Sequence, residues 1–299
     1  MTESTISDIL QFMFMGIQRG CIYALAAIGF NMIYNATGII NFAQGEFVVI
    51  GGLMMVTLTM TWNLPMPIAF LLTTAFVTIV GIAMERFTIN PVKHPTVLRL
   101  IIITIAVSII IRGVAMCFWG KNSHFMRHFS SSETLDFYGA TILPQTLWII
   151  GILLFIVAGY IFFFNYTMTG KCMRACAINR DAARLVGIND RKMVMLSFAL
   201  SAGIGAIAGI IITPIIQMDY ARGALLGIKG FGAAVLGGLG NSMGAIIAGV
   251  LIGVLEALAA GYISSHYMDA IALIILLLVL FVRPSGLFGS SEAMRLKEF

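Results

Sequence analysis

Charge is what this sequence has least of. Only 10% of its 299 residues are charged, against 60% that are hydrophobic. A soluble domain carries about 25% charged residues, so this chain has too little polar material to coat a surface facing water. A soluble enzyme, a secreted disulfide scaffold and a disordered polymer are excluded together. Cysteine is scarce as well, with Cys21, Cys117, Cys172 and Cys176. Cys172 and Cys176 share one loop, but no histidine stands close enough to complete a zinc spacing. Ordinary reduced thiols are expected, with no metal site and no cofactor. A P-loop is missing too. Its nearest approach, Gly170-Lys171-Cys172, has neither the leading glycine nor the hydroxyl residue that a phosphate cradle needs. The chain is therefore expected not to hydrolyse ATP itself. There is no nucleophile elbow, no His-Glu-x-x-His, and no His-Asp, Ser-Lys or paired-Asp set at membrane depth. An intramembrane enzyme is disfavoured on that ground. The four histidines, His94, His124, His128 and His266, sit in loops or near the ends of apolar runs.

What the sequence has in abundance is long apolar runs. At about 20 residues per crossing, the length allows eight or nine spans and leaves almost nothing over. The runs are Ile9 to Tyr34, Phe42 to Trp62, Met66 to Met84, Val97 to Phe118, Leu143 to Phe164, Met193 to Ile212, Ala245 to Tyr262 and Met268 to Val282. A further piece, Ile228 to Leu239, is rich in glycine and too short to cross. It is expected to be a half-helix or a re-entrant segment, which survives at membrane depth only where protein or water surrounds it. The fold class is all-α: a polytopic transmembrane bundle with one short or re-entrant glycine-rich segment. The whole of 1–299 reads as one membrane domain. The first eight residues carry Glu3 and Asp8 and lack the basic start of a signal peptide, so the first run is expected to be a retained span.

The net charge of +5 is spread between the runs. It forms no basic stripe with interleaved aromatics, so nucleic acid is not an expected partner. The positive-inside rule explains it better. The loop 167–192 holds Lys171, Arg174, Arg180, Arg184, Arg191 and Lys192 against Asp181 and Asp190, and is expected to be cytoplasmic. The loop 85–99, with Arg86, Lys93 and Arg99, falls on the same side. The loop 119–142 balances Lys121 and Arg127 with Glu133 and Asp136, includes Ser130, Ser131 and Ser132, and is expected outside. Glycines four apart, Gly205 with Gly209, Gly240 with Gly244 and Gly249 with Gly253, are the spacing that lets helices approach closely.

Charges inside the runs carry more information. Arg19, Glu46, Arg112, Lys229 and Glu256 stand at or within membrane depth. Each costs about 2.5–3.5 kcal/mol at a helix centre on insertion scales, so each needs a partner, a polar path or a route to the interface. Arg112 and Lys229 lie near run ends, and snorkelling is the expectation for both. Asn41, Gln44 and Glu46 crowd into Asn41-Phe42-Ala43-Gln44-Gly45-Glu46-Phe47 at the start of a run. A broken helix there could show polar groups to a solute, so these three are candidates for the translocation path, with an interior structural role as the alternative. In the basic loop, Asp181-Ala182-Ala183-Arg184-Leu185-Val186-Gly187 reads as a short helix. Asn179 or Asp181 can cap its start and Gly187 fits its end. Asp181, Ala182, Ala183, Arg184 and Gly187 are the candidate docking surface for a soluble partner.

Four stretches resemble the permeases of high-affinity branched-chain amino-acid ABC importers, specifically the H-type subunit. They are Ile33 to Phe47, Asp181 to Ile188, Gly232 to Gly240 and Arg283-Pro284-Ser285-Gly286-Leu287-Phe288-Gly289, in that order along nearly the whole chain. In the wider ABC-permease loop motif, Glu-Ala-Ala is followed by three residues and then Gly. Here Asp181 takes the place of the Glu, while Ala182, Ala183 and Gly187 match. The resemblance implies a multi-pass subunit of a bacterial inner membrane, pairing with a second, M-type permease. Two cytoplasmic ATP-binding subunits would grip the basic loops at about 167–192, and a periplasmic solute-binding protein would deliver a branched-chain amino acid or a similar small polar solute. A passive channel or facilitator is the rival reading. Asn90-Pro91-Val92 faintly matches half of an aquaporin motif, but no second Asn-Pro follows.

Overall fold

The structure, a computed structural model, describes residues 2–92, 96–130, 133–137 and 139–289. Lys93, His94, Ser131 and Ser132 lie outside the described residues. The helices are α1 (Thr2–Thr37), α2 (Gln44–Val56), α3 (Met66–Met84), α4 (Val97–Trp119), α5 (Pro144–Tyr166), α6 (Met168–Ile178), α7 (Arg180–Leu185), α8 (Asp190–Ile212), α9 (Arg222–Gly237), α10 (Ser242–Tyr262) and α11 (Met268–Val282). One π-helical turn extends α2 through Thr57–Thr61 and another extends α3 through Glu85–Ile89. A two-stranded antiparallel ribbon, β1 (Leu135–Phe137) and β2 (Ala140–Ile142), sits in the loop between α4 and α5 and is an addition to the all-helical expectation.

Among the described residues, eight helices are long and apolar enough to cross a membrane: those built on α1, α2, α3, α4, α5, α8, α10 and α11. The chain is a multi-pass membrane protein by this measure. The eight long runs of the sequence coincide with these eight helices, and five of them precede the basic loop. The short glycine-rich piece forms α9, which starts at Arg222 rather than near Ile228. Its 16 residues reach about 24 Å, less than the roughly 30 Å of a hydrocarbon core. The earlier start has a local cause. Asp219 accepts the backbone N–H groups of Ala221 and Arg222 and so opens the helix. Other helices begin with the same device. Thr96, Thr167, Asn179, Asn189 and Asn241 each take a backbone N–H of the first turn, satisfying donors that helix geometry leaves unpaired.

The chain forms two compact units. One comprises Met1–Ile28, Arg127–Leu153 and Lys229–Phe299; the other comprises Gly29–Met126 and Leu154–Ile228.

In the first unit, helices meet through small residues. A Cβ on Gly16 would lie 2.5 Å from the Val254 Cα, and one on Gly20 would lie 2.5 Å from the Val250 Cα. Facing them on α10, Gly253 abuts Gly20 and Gly249 abuts Ala24. With lipid as apolar as the side chains, close backbone packing of this kind is what holds membrane helices together. At one end of the unit, Ser7 donates to the Gly139 carbonyl, the Thr141 N–H donates to Gln11, and Phe12 packs edge-on against Tyr262. At the other end, Leu287 N–H donates to the Leu236 carbonyl and the Asn241 amide donates to the Phe288 carbonyl.

The second unit is a packed core of α2, α3 and α8 with the C-terminal part of α1. Ile33, Phe47, Val77, Phe198, Ala202 and Ala206 form its apolar centre. Gly209 lies against Val48, Gly205 against Phe47, and Gly81 against Ala202. Of the glycine pairs expected to pack helices, Gly205 with Gly209 and Gly249 with Gly253 do so. Gly240 does not. It occupies the turn between α9 and α10 with φ of +94°, a conformation in which glycine avoids the Cβ penalty.

Candidate functional site

The segment between α1 and α2 sets the centre of the second unit. Gly38, at φ +71°, donates its N–H to the Tyr34 carbonyl and ends α1 in the left-handed cap typical of helix C-termini. Three residues later the Asn41 side-chain oxygen accepts the Ala43 N–H, and α2 starts at Gln44. The helix break predicted around Asn41 is therefore present, and it holds Asn41, Gln44 and Glu46 fully inside the unit.

The three residues have different surroundings. Gln44 is a clasp. Its amide Nε2 donates to the Ser201 carbonyl, and the Ser201 hydroxyl lies 2.6 Å from the Gln44 side-chain oxygen and 2.8 Å from the Gly29 carbonyl. These bonds tie α2 to α8 and α1, and they use the Gln44 oxygen and one amide hydrogen. The Asn41 amide nitrogen, buried, has no hydrogen-bond partner. Glu46 is 1% exposed. One carboxylate oxygen, Oε1, accepts from the Ser108 hydroxyl at 2.9 Å and from Arg112 Nη2 at 2.8 Å, both on α4. The other oxygen, Oε2, is buried without a partner, and so is Arg112 Nε. Beside Oε2 stands Gly223 on the first turn of α9. A Cβ there would come within 2.4 Å of the carboxylate oxygen, so only glycine lets the carboxylate sit where it does.

Arg112 was expected to snorkel. It turns inward instead, because a carboxylate at membrane depth offers the guanidinium a charge-assisted bond that the interface cannot match. Its side chain remains 32% exposed. Lys229 is corrected in the same way within the first unit. Its ammonium lies 2.9 Å from Glu256 and 2.6 Å from Asp269 and donates to the Tyr23 hydroxyl at 3.0 Å. Tyr23 in turn donates to the other Glu256 oxygen at 2.7 Å. Arg19 turns its guanidinium to the Met268 sulfur.

The basic loop is built from α6 and α7. Asn179, rather than Asp181, caps α7, and Gly187 closes the turn after it at φ +85° with open space around its Cα. Arg184 binds Asp190 at 2.6 Å and reaches Asp181 at 3.4 Å. The bond and charge of Asp190 hold the Arg184 guanidinium still more firmly protonated than usual. Leu185 and Val186, by contrast, are 89% and 76% exposed, an apolar pair standing out of a charged loop. Arg180 leaves the helix and donates to the Ala36 carbonyl at 2.9 Å, so α7 is bonded to the last turn of α1 just before the Gly38 break.

Among the described residues no group of three His, Cys, Asp or Glu side chains is arranged to hold a metal ion. Sequence reasoning missed Tyr23, Ser108, Ser201 and Asp269, which complete the polar clusters. Each is an ordinary residue in or beside an apolar run, and pairing across 62 or 233 positions leaves no local signal. It also missed Gly16 and Gly20, whose spacing of four was readable.

Comparison with known proteins agrees with the resemblance. The family described as branched-chain amino acid transport system / permease component matches residues 12–280. The LivH permease of a high-affinity branched-chain amino acid transport system from Salmonella typhimurium is 33% identical, over 95% of this chain and 96% of its own. The BraD permease of such a system from Pseudomonas aeruginosa is 32% identical, over 96% of this chain and 98% of its own. More distantly, the ribose import permease RbsC of Haemophilus influenzae is 27% identical, over 88% of this chain and 82% of its own. No solved structure is significantly similar. With a family match over most of its length, and LivH and BraD aligned nearly end to end, the chain belongs to the family of permease components of branched-chain amino acid transport systems.

Proposed function

We propose that this permease component imports branched-chain amino acids across a bacterial inner membrane, as one subunit of an ABC importer whose ATP-binding subunits supply the energy. The near full-length similarity to LivH and BraD supports the solute class. The basic loop at about 167–192 faces the cytoplasm on the positive-inside rule. There α7 docks on an ATP-binding subunit, with Asp181, Ala182, Ala183, Arg184 and Gly187 forming or shaping the contact and exposed Leu185 and Val186 filling it. A second, M-type permease completes the passage, and a periplasmic protein delivers the solute. The ribbon loop 119–142 faces that protein. Because Ser7 and Gln11 bond to residues 139 and 141, the start of α1 shares the outer side.

The observation that carries the reading is the bond from Arg180 to Ala36. It connects the proposed docking helix to the broken segment bearing Asn41, Gln44 and Glu46. A push on α7 then reaches the candidate path through one charge-assisted contact and one helix end. Two ligands at separate sites bias one two-state element in this way. Gln44 serves the path by fixing the position of α2, while Asn41 and Glu46 hold polar atoms not used by the chain. The test is leucine uptake by cells expressing the complete importer with Arg180→Gln or wild-type permease. Loss of uptake with ATP hydrolysis retained supports the reading; uptake at the wild-type rate contradicts it.

A further inference from the structure

We infer that Glu46 and Arg112 form a subsite for the charged head of a zwitterionic amino acid, the ammonium going to Glu46 Oε2 and the carboxylate to Arg112. This inference rests on the proposed import of branched-chain amino acids and names the atoms that would select them.

Three observations converge on one place in the second unit. Glu46 Oε2 is buried and accepts nothing, while Oε1 accepts twice. Arg112 Nε is buried and donates to nothing, while Nη2 holds the carboxylate. Gly223 packs its backbone against Oε2, where a Cβ would come within 2.4 Å of the oxygen and displace the carboxylate. An unmet acceptor and an unmet donor on two partners of one ion pair are a costly arrangement at low dielectric. They match a ligand that brings an N–H donor and a carboxylate acceptor on neighbouring atoms.

Charge balance sharpens the match. The Glu46–Arg112 pair sums to zero, and so does the head of an amino acid at neutral pH. Inserting the zwitterion replaces one internal pair with two ligand pairs and leaves no net charge at membrane depth. An amine or a carboxylic acid of the same shape leaves one charge uncompensated, and such charges are heavily disfavoured there. The pair discriminates by requiring both charges.

The test uses the full chain in nanodiscs and radiolabelled leucine, with no solute-binding protein present to impose its own selectivity. Leucine binding to the wild type is displaced by unlabelled leucine but not by 4-methylpentanoate, which lacks the ammonium, nor by 3-methylbutylamine, which lacks the carboxylate. Glu46→Gln weakens leucine binding about tenfold or more, the scale of one charge-assisted hydrogen bond, and narrows the gap to 4-methylpentanoate. Glu46→Arg/Arg112→Glu keeps an ion pair; it is expected to keep the melting temperature and lose leucine. Gly223→Ala retains both charges and also weakens leucine binding, which covers the case in which the charge variants do not fold. Absence of leucine binding to the wild type, full binding by the swapped pair, or unchanged discrimination in Glu46→Gln and unchanged affinity in Gly223→Ala would overturn the inference. The uptake experiment above answers separately whether the importer carries branched-chain amino acids at all.

Discussion

Two buried charge clusters, one in each unit, face the same problem and solve it differently. In the first unit Lys229 meets Glu256, Asp269 and Tyr23, and the Tyr23 hydroxyl closes the loop to Glu256. Glu256 Oε2 accepts from Tyr23, and Oε1, though without a hydrogen bond, lies 2.9 Å from the Lys229 ammonium, so each oxygen faces a cation or a donor. In the second unit Glu46 and Arg112 each keep one polar atom unpaired, with glycine rather than a side chain beside it. Closed networks pin helices together, here α1, α9, α10 and α11. Open ones hold a charged pair ready to exchange partners. Burial alone does not separate the two, because Glu46 and Glu256 are equally enclosed. The nearness of a cation to the second oxygen does: Glu256 Oε1 lies 2.9 Å from the Lys229 ammonium, whereas Glu46 Oε2 has no partner.

The comparison breaks most visibly at Lys229. Lys229→Met leaves Glu256 uncompensated and is expected to destabilise the chain by about 3–5 kcal/mol, seen as a collapse in folded yield and melting temperature in detergent. Lys229→Met/Glu256→Leu should recover much of that loss, since an apolar pair replaces an ionic one without leaving a stranded charge. If Lys229→Met melts like the wild type, the cluster does not pin the helices. A smaller loss is expected from Gly209→Val. A Cβ there would sit 1.9 Å from the Val48 carbonyl oxygen, and overpacking of this kind costs about 1–3 kcal/mol. Gly151→Val, at a glycine with nothing within 4 Å, serves as the neutral control, and equal melting of the two variants would refute the close-packing argument.

Gly187→Trp should barely move the melting temperature beyond the strain of a left-handed residue, about 1–2 kcal/mol, because open space surrounds it. Uptake by the complete importer should nevertheless be abolished, and Gly187→Asn, which tolerates that backbone, should retain it. Normal uptake in the Trp variant, with the ATP-binding subunits still co-purifying, would remove the docking role from α7. The smallest effect concerns the two thiols of α6. Burial pushes the Cys176 thiol up, so less of it is thiolate near neutral pH, and it is also less exposed than Cys172. Cys172 should alkylate about tenfold faster or more, and Cys172→Ala should remove the fast phase of labelling of this helix.

Much of the fold was legible because a membrane helix writes its signal locally. Eight apolar runs became eight long helices, and the Asn41 segment, the short α7 and the Gly187 cap lie where residue chemistry placed them. The family was legible for the same reason, through contiguous motifs. The polar partners were not. Snorkelling was the expectation for Arg112 and Lys229 because their position in a run is visible in one dimension, whereas Glu46 and Glu256 across the bundle are not. Gly240 matched a packing spacing yet serves a turn, since spacing alone does not distinguish a helix face from a helix end. The start of α9 was misplaced because the segment was bounded by its apolar run from Ile228, whereas Asp219, which opens the helix, stands well before that run.

The central claim is that this chain is an importer subunit moved by ATP-binding partners. The direct measurement is leucine accumulation in proteoliposomes, comparing the chain with its partner permease, ATP-binding subunits and solute-binding protein against the chain alone. The account predicts accumulation against a gradient only in the complete assembly and only with ATP. Leucine entry at the same rate through the chain alone, without nucleotide, would contradict it.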